Sequence, residues 1–284
     1  MSIQLIQDRL DRYACRSSLE EDQAVREISQ EIVLAGLGRT DFFKRAGFQG
    51  GTCLRIFRGL NRFSEGLDFA LLAPDSSFAL PPYLETLTRE LAAYGYEFEI
   101  EDRSNAAQAV RKAFLKDDSM GSLLRLSYRP ANGPLRKLRI KLEVDTRPPA
   151  GAAYETKVLD FPFPSAVCLL DLPSLFAGKI HALLCREYMK GRDWYDFIWY
   201  TAHRTPIQYG LLSSALRQNG PWQGQVIAVD RDWCVNQLHQ KITSINWQQA
   251  RRDVQRFIKP PELPSLALWS PEFFLSQCEK LPTD

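Results

Sequence analysis

Three short stretches hold the residues whose types and spacing suit chemistry. The first is GFQGGTCLRIFRGLNRFSEGLDFAL, residues 47–71. Gly50 and Gly51 let backbone N–H groups converge, and Thr52 opens a predicted helix. Helix N-termini attract anions, and bare glycines let a phosphate approach closely. Asp68 follows on a predicted strand between Leu67 and Phe69. A period of two puts Gly66, Asp68 and Ala70 on one face. An acid there suits Mg²⁺, which takes oxygen ligands together with substrate phosphates. Taken alone, a glycine pair is ordinarily a turn and such an aspartate ordinarily a turn cap.

The second stretch is LRIKLEVDTR, residues 138–147. Leu138, Ile140, Leu142 and Val144 share one face of a predicted strand. Lys137, Arg139, Lys141, Glu143, Asp145 and Arg147 share the other. For the outer members a solvated sheet face is an equally good reading. If this strand lies beside the strand of Asp68, Glu143 and Asp68 can share a metal site. Two metals about 4 Å apart would there activate a hydroxyl and stabilise leaving pyrophosphate.

The third stretch is KIHALLCREYMKGRDWYDF, residues 179–197. Lys179, Arg186, Lys190 and Asp193 fall on one stripe if the helix is continuous. Such a basic stripe grips a triphosphate or simply faces solvent. Asp193 and Asp196 are interleaved with Trp194, Tyr195 and Phe197. Aromatics of that size go inside and draw the polar residues with them.

The elements that position these residues follow from pattern. Ser18 and Glu21 form a capping box, and Val25, Ile28, Ile32 and Ala35 recur behind it at helical spacing. Gly36 and Gly38 end that helix. Pro81 and Pro82 open another, with Leu84, Leu87, Leu91 and Tyr94 on one side. YEFEIED, residues 96–102, alternates as a strand. SLLRLSYRPANGPLRKLRIKLEVDTR reads as two strands around an Asn132–Gly133 turn, a strong hairpin signal. PPAGAAYETKVLDFPFPSAV reads as a proline-punctuated connection. The remainder reads as mainly helical, with Gly191 as a breaking point. The organisation is therefore α, then α+β, then α.

The bulk properties set bounds. The 284 residues, 45% hydrophobic, suffice for one large domain or two smaller ones. A net charge of +2 excludes a polycation, so any nucleic-acid contact must come from local basic clusters. The N-terminus is not a signal peptide, and no apolar run approaches the ~20 residues of a membrane span. The six cysteines form no CxxC pair and the three histidines do not cluster. The expectation is a cytoplasmic protein with reduced thiols, no zinc site and no membrane association.

GGTCLRIFRGLNRFSEGLDFAL, RIKLEVDTRPP and KIHALLCREYMKGRDWYDFIWY, in this order, resemble the AbiEii/AbiGii family of bacterial nucleotidyltransferase-like toxins. The resemblance spans roughly residues 20 to 205. It implies a polymerase-β-like nucleotidyltransferase core at 46–150. N-terminal helices (1–45) pack on that core, and a mainly helical region (151–284) follows it. It implies Mg²⁺-dependent transfer of a nucleotide from an NTP to an RNA, tRNA foremost, in a toxin–antitoxin or phage-defence setting with an antitoxin encoded nearby. Transfer to a protein side chain is a lower-ranked alternative. Residue by residue, Gly50, Gly51 and Thr52 match the family's glycine turn. Asp68 matches the second acid of its DxD pair, and Glu143 its third carboxylate. Lys179 matches a lysine expected on nucleotide phosphates, with Arg186 on the same stripe. Arg192 and Asp193 match an RD pair. Asp193 is expected to orient Lys179 or the acceptor, and Arg192 to anchor phosphate or structure. Asp196 matches the acid three residues on.

One position departs from the pattern. Gly66 stands where the family carries the first acid of its pair. Three outcomes are open. Glu65 supplies the carboxylate from one residue away; Asp68 and Glu143 hold metal alone with weakened activity; or the chain binds nucleotide or RNA without chemistry.

Overall fold

The structure is a computed structural model that describes residues 2–105, 108–117, 119–128 and 137–283. The chain separates into two compact units. The first comprises Met1–Gly59, Phe63–Pro148 and Thr156–Leu169, and the second Leu60–Arg62, Pro149–Glu155 and Leu170–Asp284.

In the first unit the elements run α1 (Ser2–Asp11), α2 (Ser18–Gly38), α3 (Phe42–Arg45), β1 (Ala46–Gln49) and α4 (Gly50–Arg58). Next come β2 (Gly66–Leu71), α5 (Pro81–Ala92), β3 (Glu99–Asp102), β4 (Val110–Asp117), α6 (Met120–Leu123) and β5 (Leu138–Asp145). β6 (Tyr154–Leu159) and β7 (Ser165–Leu170) complete a sheet of order β3-β4-β5-β2-β1-β7-β6. The sheet is mixed: β2 runs parallel to β5 and antiparallel to β1, and β4 is antiparallel to both β5 and β3.

The apolar halves of the strands form the core. Leu67, Phe69, Leu142, Val144, Ile140 and Leu115 are at most 1% exposed. Phe69 meets Phe42 at 4.9 Å and Phe48 at 5.2 Å between ring centroids. α2 packs on β5 and α5. Its apolar residues are not confined to the one expected stripe, because the helix is buried on nearly every side from Glu27 to Leu37. Its polar residues are therefore satisfied internally, as buried polar groups must be. Glu27 binds Arg55 of α4 at 2.7 Å, Glu31 binds Arg9 at 2.8 Å, and the Gln30 amide donates to the Ser64 carbonyl at 3.3 Å.

Several expectations are corrected. The cap of α2 is Ser17, whose Oγ accepts from Glu20 N–H, one residue earlier than the Ser18–Glu21 box. The partner of β5 is β4, and Leu123 lies in α6 rather than in the first arm of a hairpin. The Asn132–Gly133 turn lies outside the described residues. β4 escapes a simple hydrophobic reading because its inward side carries charges at both ends. Buried Arg111 donates to the carbonyls of Ser76, Phe78, Asn105 and Gln108 at 2.7–3.2 Å. Buried Asp117 accepts from Glu97 N, Met120 N and Ser119 Oγ. β6 and β7 occupy the stretch expected to be only a connection.

The second unit is built on helices α7 (Leu172–Cys185), α8 (Gly191–Ala202), α9 (Tyr209–Gln218), α10 (Arg231–Ser244) and α11 (Trp247–Gln255). A 3₁₀ segment (Pro260–Leu268) and α12 (Pro271–Cys278) follow. An aromatic core holds it together: Trp247 stacks on Phe274 at 4.0 Å, and Trp194 meets both edge-on. α7 and α8 are separate helices, so the continuous stripe of four residues does not exist. The break ends just before Gly191, where a Cβ would lie 2.0 Å from the Ala250 carbonyl oxygen of α11. Only glycine admits that approach. The Gly191 N–H then donates to Asp253 at 2.8 Å.

Candidate active site

In the first unit the glycine turn, Asp68 and Glu143 come together. β1 delivers the chain to Gly50, which takes φ +81°, a left-handed conformation that glycine adopts without steric cost. A Cβ on Gly50 would stand 2.8 Å from Asp68 Oδ2, so the missing side chain is what leaves that carboxylate room. Gln49 gives α4 no side-chain cap and its first turn holds no acid, which suits the helix start to an anion. Thr52 is buried, and its hydroxyl donates to the Gly66 carbonyl, tying the helix to the head of β2.

Period two carries the rest. Gln49, Asp68, Glu143 and Lys112 are register partners across β1, β2, β5 and β4 and form one row on one face of the sheet. The next row holds Gly66, Lys141 and Phe114. Glu143 is bound by both lysines: Lys112 Nζ lies 3.5 Å from Oε1, and Lys141 Nζ pairs with Oε2. Asp145 continues the face opposite Ala70. Burial raises its carboxyl above the usual range, against the Arg147 N–H and charge that favour ionisation. Among the described residues no three acids, histidines or cysteines converge as a ready-made metal cage.

In the second unit Lys179, Arg186, Asp193 and Asp196 converge although α7 and α8 are distinct helices. Lys179 Nζ lies 2.7 Å from Asp193 Oδ1 and 2.7 Å from Asp196 Oδ2. Arg186 pairs with Asp193. Arg62, which received no role from the sequence, forks onto Asp196 at 2.6 and 2.7 Å and is only 3% exposed. Burial opposes the charge on Asp193, but Lys179 and Arg186 outweigh it and hold the carboxyl at about 2. Burial opposes the charge on Lys179 too, and the two aspartates outweigh it, so its pKa lies above the usual lysine value. Lys179 is thus a permanent cation rather than a base. Arg186 is the accessible cation, its side chain 36% exposed against 11% for Lys179. Lys190, the remaining residue of the expected stripe, stands apart, over the Tyr188 ring at 5.3 Å, and the Arg192 guanidinium lies over Phe257 at 4.3 Å.

Comparison with known proteins bears on this arrangement. The family model described as Nucleotidyl transferase AbiEii toxin, Type IV TA system, matches residues 32–273. Among solved structures, MenT4, a nucleotidyltransferase toxin of Mycobacterium tuberculosis H37Rv, is 16% identical. The match covers 100% of this chain and 91% of that one, with a TM-score of 0.60. JHP933 from Helicobacter pylori is 15% identical over 91% of this chain and 89% of its own, with a TM-score of 0.51. At such identities the likeness carries the fold, a mixed sheet with helices followed by a helical region. No curated protein sequence matches the chain. Among the described residues no helix is long and apolar enough to cross a membrane. The family match spans most of the chain and takes in the glycine turn, Asp68, Glu143 and the Lys179–Asp193 pair: this chain belongs to the AbiEii family of nucleotidyltransferase toxins of type IV toxin–antitoxin systems.

Proposed function

We propose that this chain transfers a nucleotide from an NTP to an RNA, with tRNA the foremost acceptor and Mg²⁺ as the metal. The carrying observation is the register pairing of Asp68 with Glu143, with Gly50 leaving space at the Asp68 carboxylate. Adjacent partners lie about one strand spacing apart, ~4.8 Å. Two oxygen donors at that separation suit a hard cation that completes its shell with phosphate and water. Asp68 and Glu143 would hold Mg²⁺ there, which would supply charge neutralisation at phosphate and activation of a hydroxyl.

The chain's own residues do the rest. The N–H groups at the start of α4 bind phosphate oxygens. Glu143 must release at least one of its two lysines to serve as a ligand. Lys179 is neutralised by Asp193 and Asp196, so it grips phosphate only where phosphate replaces a carboxylate; Arg186 also pairs with Asp193 but is the more exposed cation and the more open to phosphate. An antitoxin encoded nearby completes the setting. Purified protein incubated with Mg²⁺, each labelled NTP and total tRNA is expected to label RNA, and Asp68→Asn to abolish the label. Failure with all four NTPs overturns the reading.

A second reading rests on Gly66. Its register partner is Lys141, so that row brings a cation and no acid to the position next to Asp68. The chain is then a weakened or inactive nucleotide- or RNA-binding homologue. Restoring the acid with Gly66→Asp separates the two readings.

A further inference from the structure

The sheet face that carries Asp68 does not stop at Glu143. Lys112, Phe114 and Lys116 of β4 lie opposite Glu143, Lys141 and Arg139 of β5, and Glu101 and Glu99 of β3 complete the rows. Phe114 is out of place on a solvated face. It is partly exposed, on the side away from the core residues Ala113 and Leu115. Its ring has the Arg139 guanidinium 4.0 Å from its centroid and that of Arg103 at 5.2 Å. Arg139 is exposed, and among the described residues no ion pair engages it. The Lys112, Lys141 and Arg103 side chains are 39%, 42% and 55% exposed. Beyond the Asp68 row, Lys116 and Arg103 pair with Glu101 and Lys137 with Glu99, while Lys141 pairs back to Glu143, so among the described residues the cations of this face outnumber its acids.

We propose that this face is a docking track for single-stranded RNA, with Phe114 as a base-stacking platform and Arg139 as a phosphate contact. The inference rests on the reading of RNA as acceptor. Single strands are held by grooves of positive charge combined with aromatic side chains on which bases stack. β4 supplies that combination as cation, aromatic, cation. A base takes the place of Arg139 on the ring, and the displaced guanidinium turns to the backbone phosphate. The track is continuous with the Asp68–Glu143 row, Phe114 lying about two strand spacings, roughly 10 Å, from the strand of Asp68. A strand on the track therefore has its end within reach of that row. A duplex hides its bases and gains only the charge.

The test is binding of a short labelled single-stranded oligoribonucleotide to the full chain, read by fluorescence anisotropy at several salt concentrations. Phe114→Ala is expected to loosen binding about tenfold or more, and Phe114→Trp to keep it. Arg139→Ala is expected to lower the salt slope by about one. Thermal melts establish that each variant is folded, and Arg139→Ala alone tests the track should Phe114→Ala fail to fold. Unchanged binding by folded Phe114→Ala overturns the proposal. So do equal competition by a duplex of the same sequence, equal competition by an acidic peptide, and an unchanged salt slope in Arg139→Ala. Nucleotide transfer by the unsubstituted chain, measured beside binding, separates this inference from the enzymatic one. Phe114-dependent binding without nucleotide transfer supports the track and overturns the enzyme reading alone. Transfer whose KM for RNA ignores Phe114 overturns the track alone.

Discussion

Gly66 and Gly50 are both glycines beside Asp68, and their surroundings assign them opposite fates on substitution. Gly66 is not in the left-handed region, and a Cβ there would stand 3.3 Å from the Lys141 carbonyl, a contact relieved by a shift of a few tenths of an ångström. Gly66→Asp is therefore expected to fold and to raise nucleotide transfer tenfold or more, each tenfold being ~1.4 kcal/mol of barrier. An unchanged rate in a transfer assay means the first acid of the pair is dispensable here. Gly50→Ala meets both a φ of +81° and the Asp68 carboxylate at 2.8 Å. It is expected to cost about 1–3 kcal/mol of stability and most of the transfer activity, measured by denaturation and by label incorporation. The pattern of a period-two strand put Asp68 and Glu143 on polar strand faces, and the family resemblance picked them out from their neighbours there. Nothing in it marks Arg62, because the partner that explains this buried cation, Asp196, lies 134 positions away.

At the scale of elements, charge placed inside explains both stability and illegibility. Arg111 satisfies four carbonyls from buried positions around β4. Arg111→Met leaves them unpaired and is expected to cost roughly 2–5 kcal/mol in urea unfolding. The same Arg111, with Asp117, hid β4 from the alternation that identifies strands, and the Asn132–Gly133 signal drew β5 toward the wrong partner. α2 holds a second internal charge. Burial raises Glu31 to about 7, outweighing Arg9, which is the more exposed of the pair. A carboxyl raised in the folded state favours folding below its ordinary value of about 4.5 and withdraws that contribution as pH climbs through 7. Glu31→Gln is expected to flatten the fall in stability between pH ~4.5 and ~7, seen as a smaller change of Tm across that window. Gly191→Ala is expected to force α8 from α11, losing several kcal/mol, since the new methyl would sit 2.0 Å from a backbone oxygen.

At the scale of the molecule, the two units are threaded from non-contiguous chain. The second unit takes Leu60–Arg62 and Pro149–Glu155 from regions flanked by the first. A fragment beginning at residue 170 would lack Arg62, leaving buried Asp196 with Lys179 alone, and would lack Ala153, whose N–H binds Ser174 and whose carbonyl binds Asp171 N–H. Removing one partner of a buried pair typically costs about 3–5 kcal/mol. That fragment is expected to show no cooperative unfolding transition by circular dichroism. The depressed carboxyl of Asp193 adds a pH signature to the whole chain. Its stabilisation is present above the ordinary aspartate value near 4 and is lost as pH falls toward about 2, so Asp193→Asn should remove that part of the acid-side slope.

The sequence pattern by itself determined the α, α+β, α organisation, the glycine turn and the strand faces of Asp68 and Glu143, because each depends on neighbours a few residues apart and on fixed helical or strand periods, while the nucleotidyltransferase class of fold and the missing acid at Gly66 came from the family resemblance of the three stretches. The tertiary structure alone decided that β2 and β5 are parallel neighbours with Asp68 opposite Glu143. It alone decided that Glu143 carries two lysines, and that Lys179 and Asp193 meet across a helix break rather than along one helix. It also brought Arg62 to Asp196 and set Phe114 on the open face beside the site. Those facts depend on which strand lies beside which and on contacts closed over long loops, and local periodicity carries no information about either.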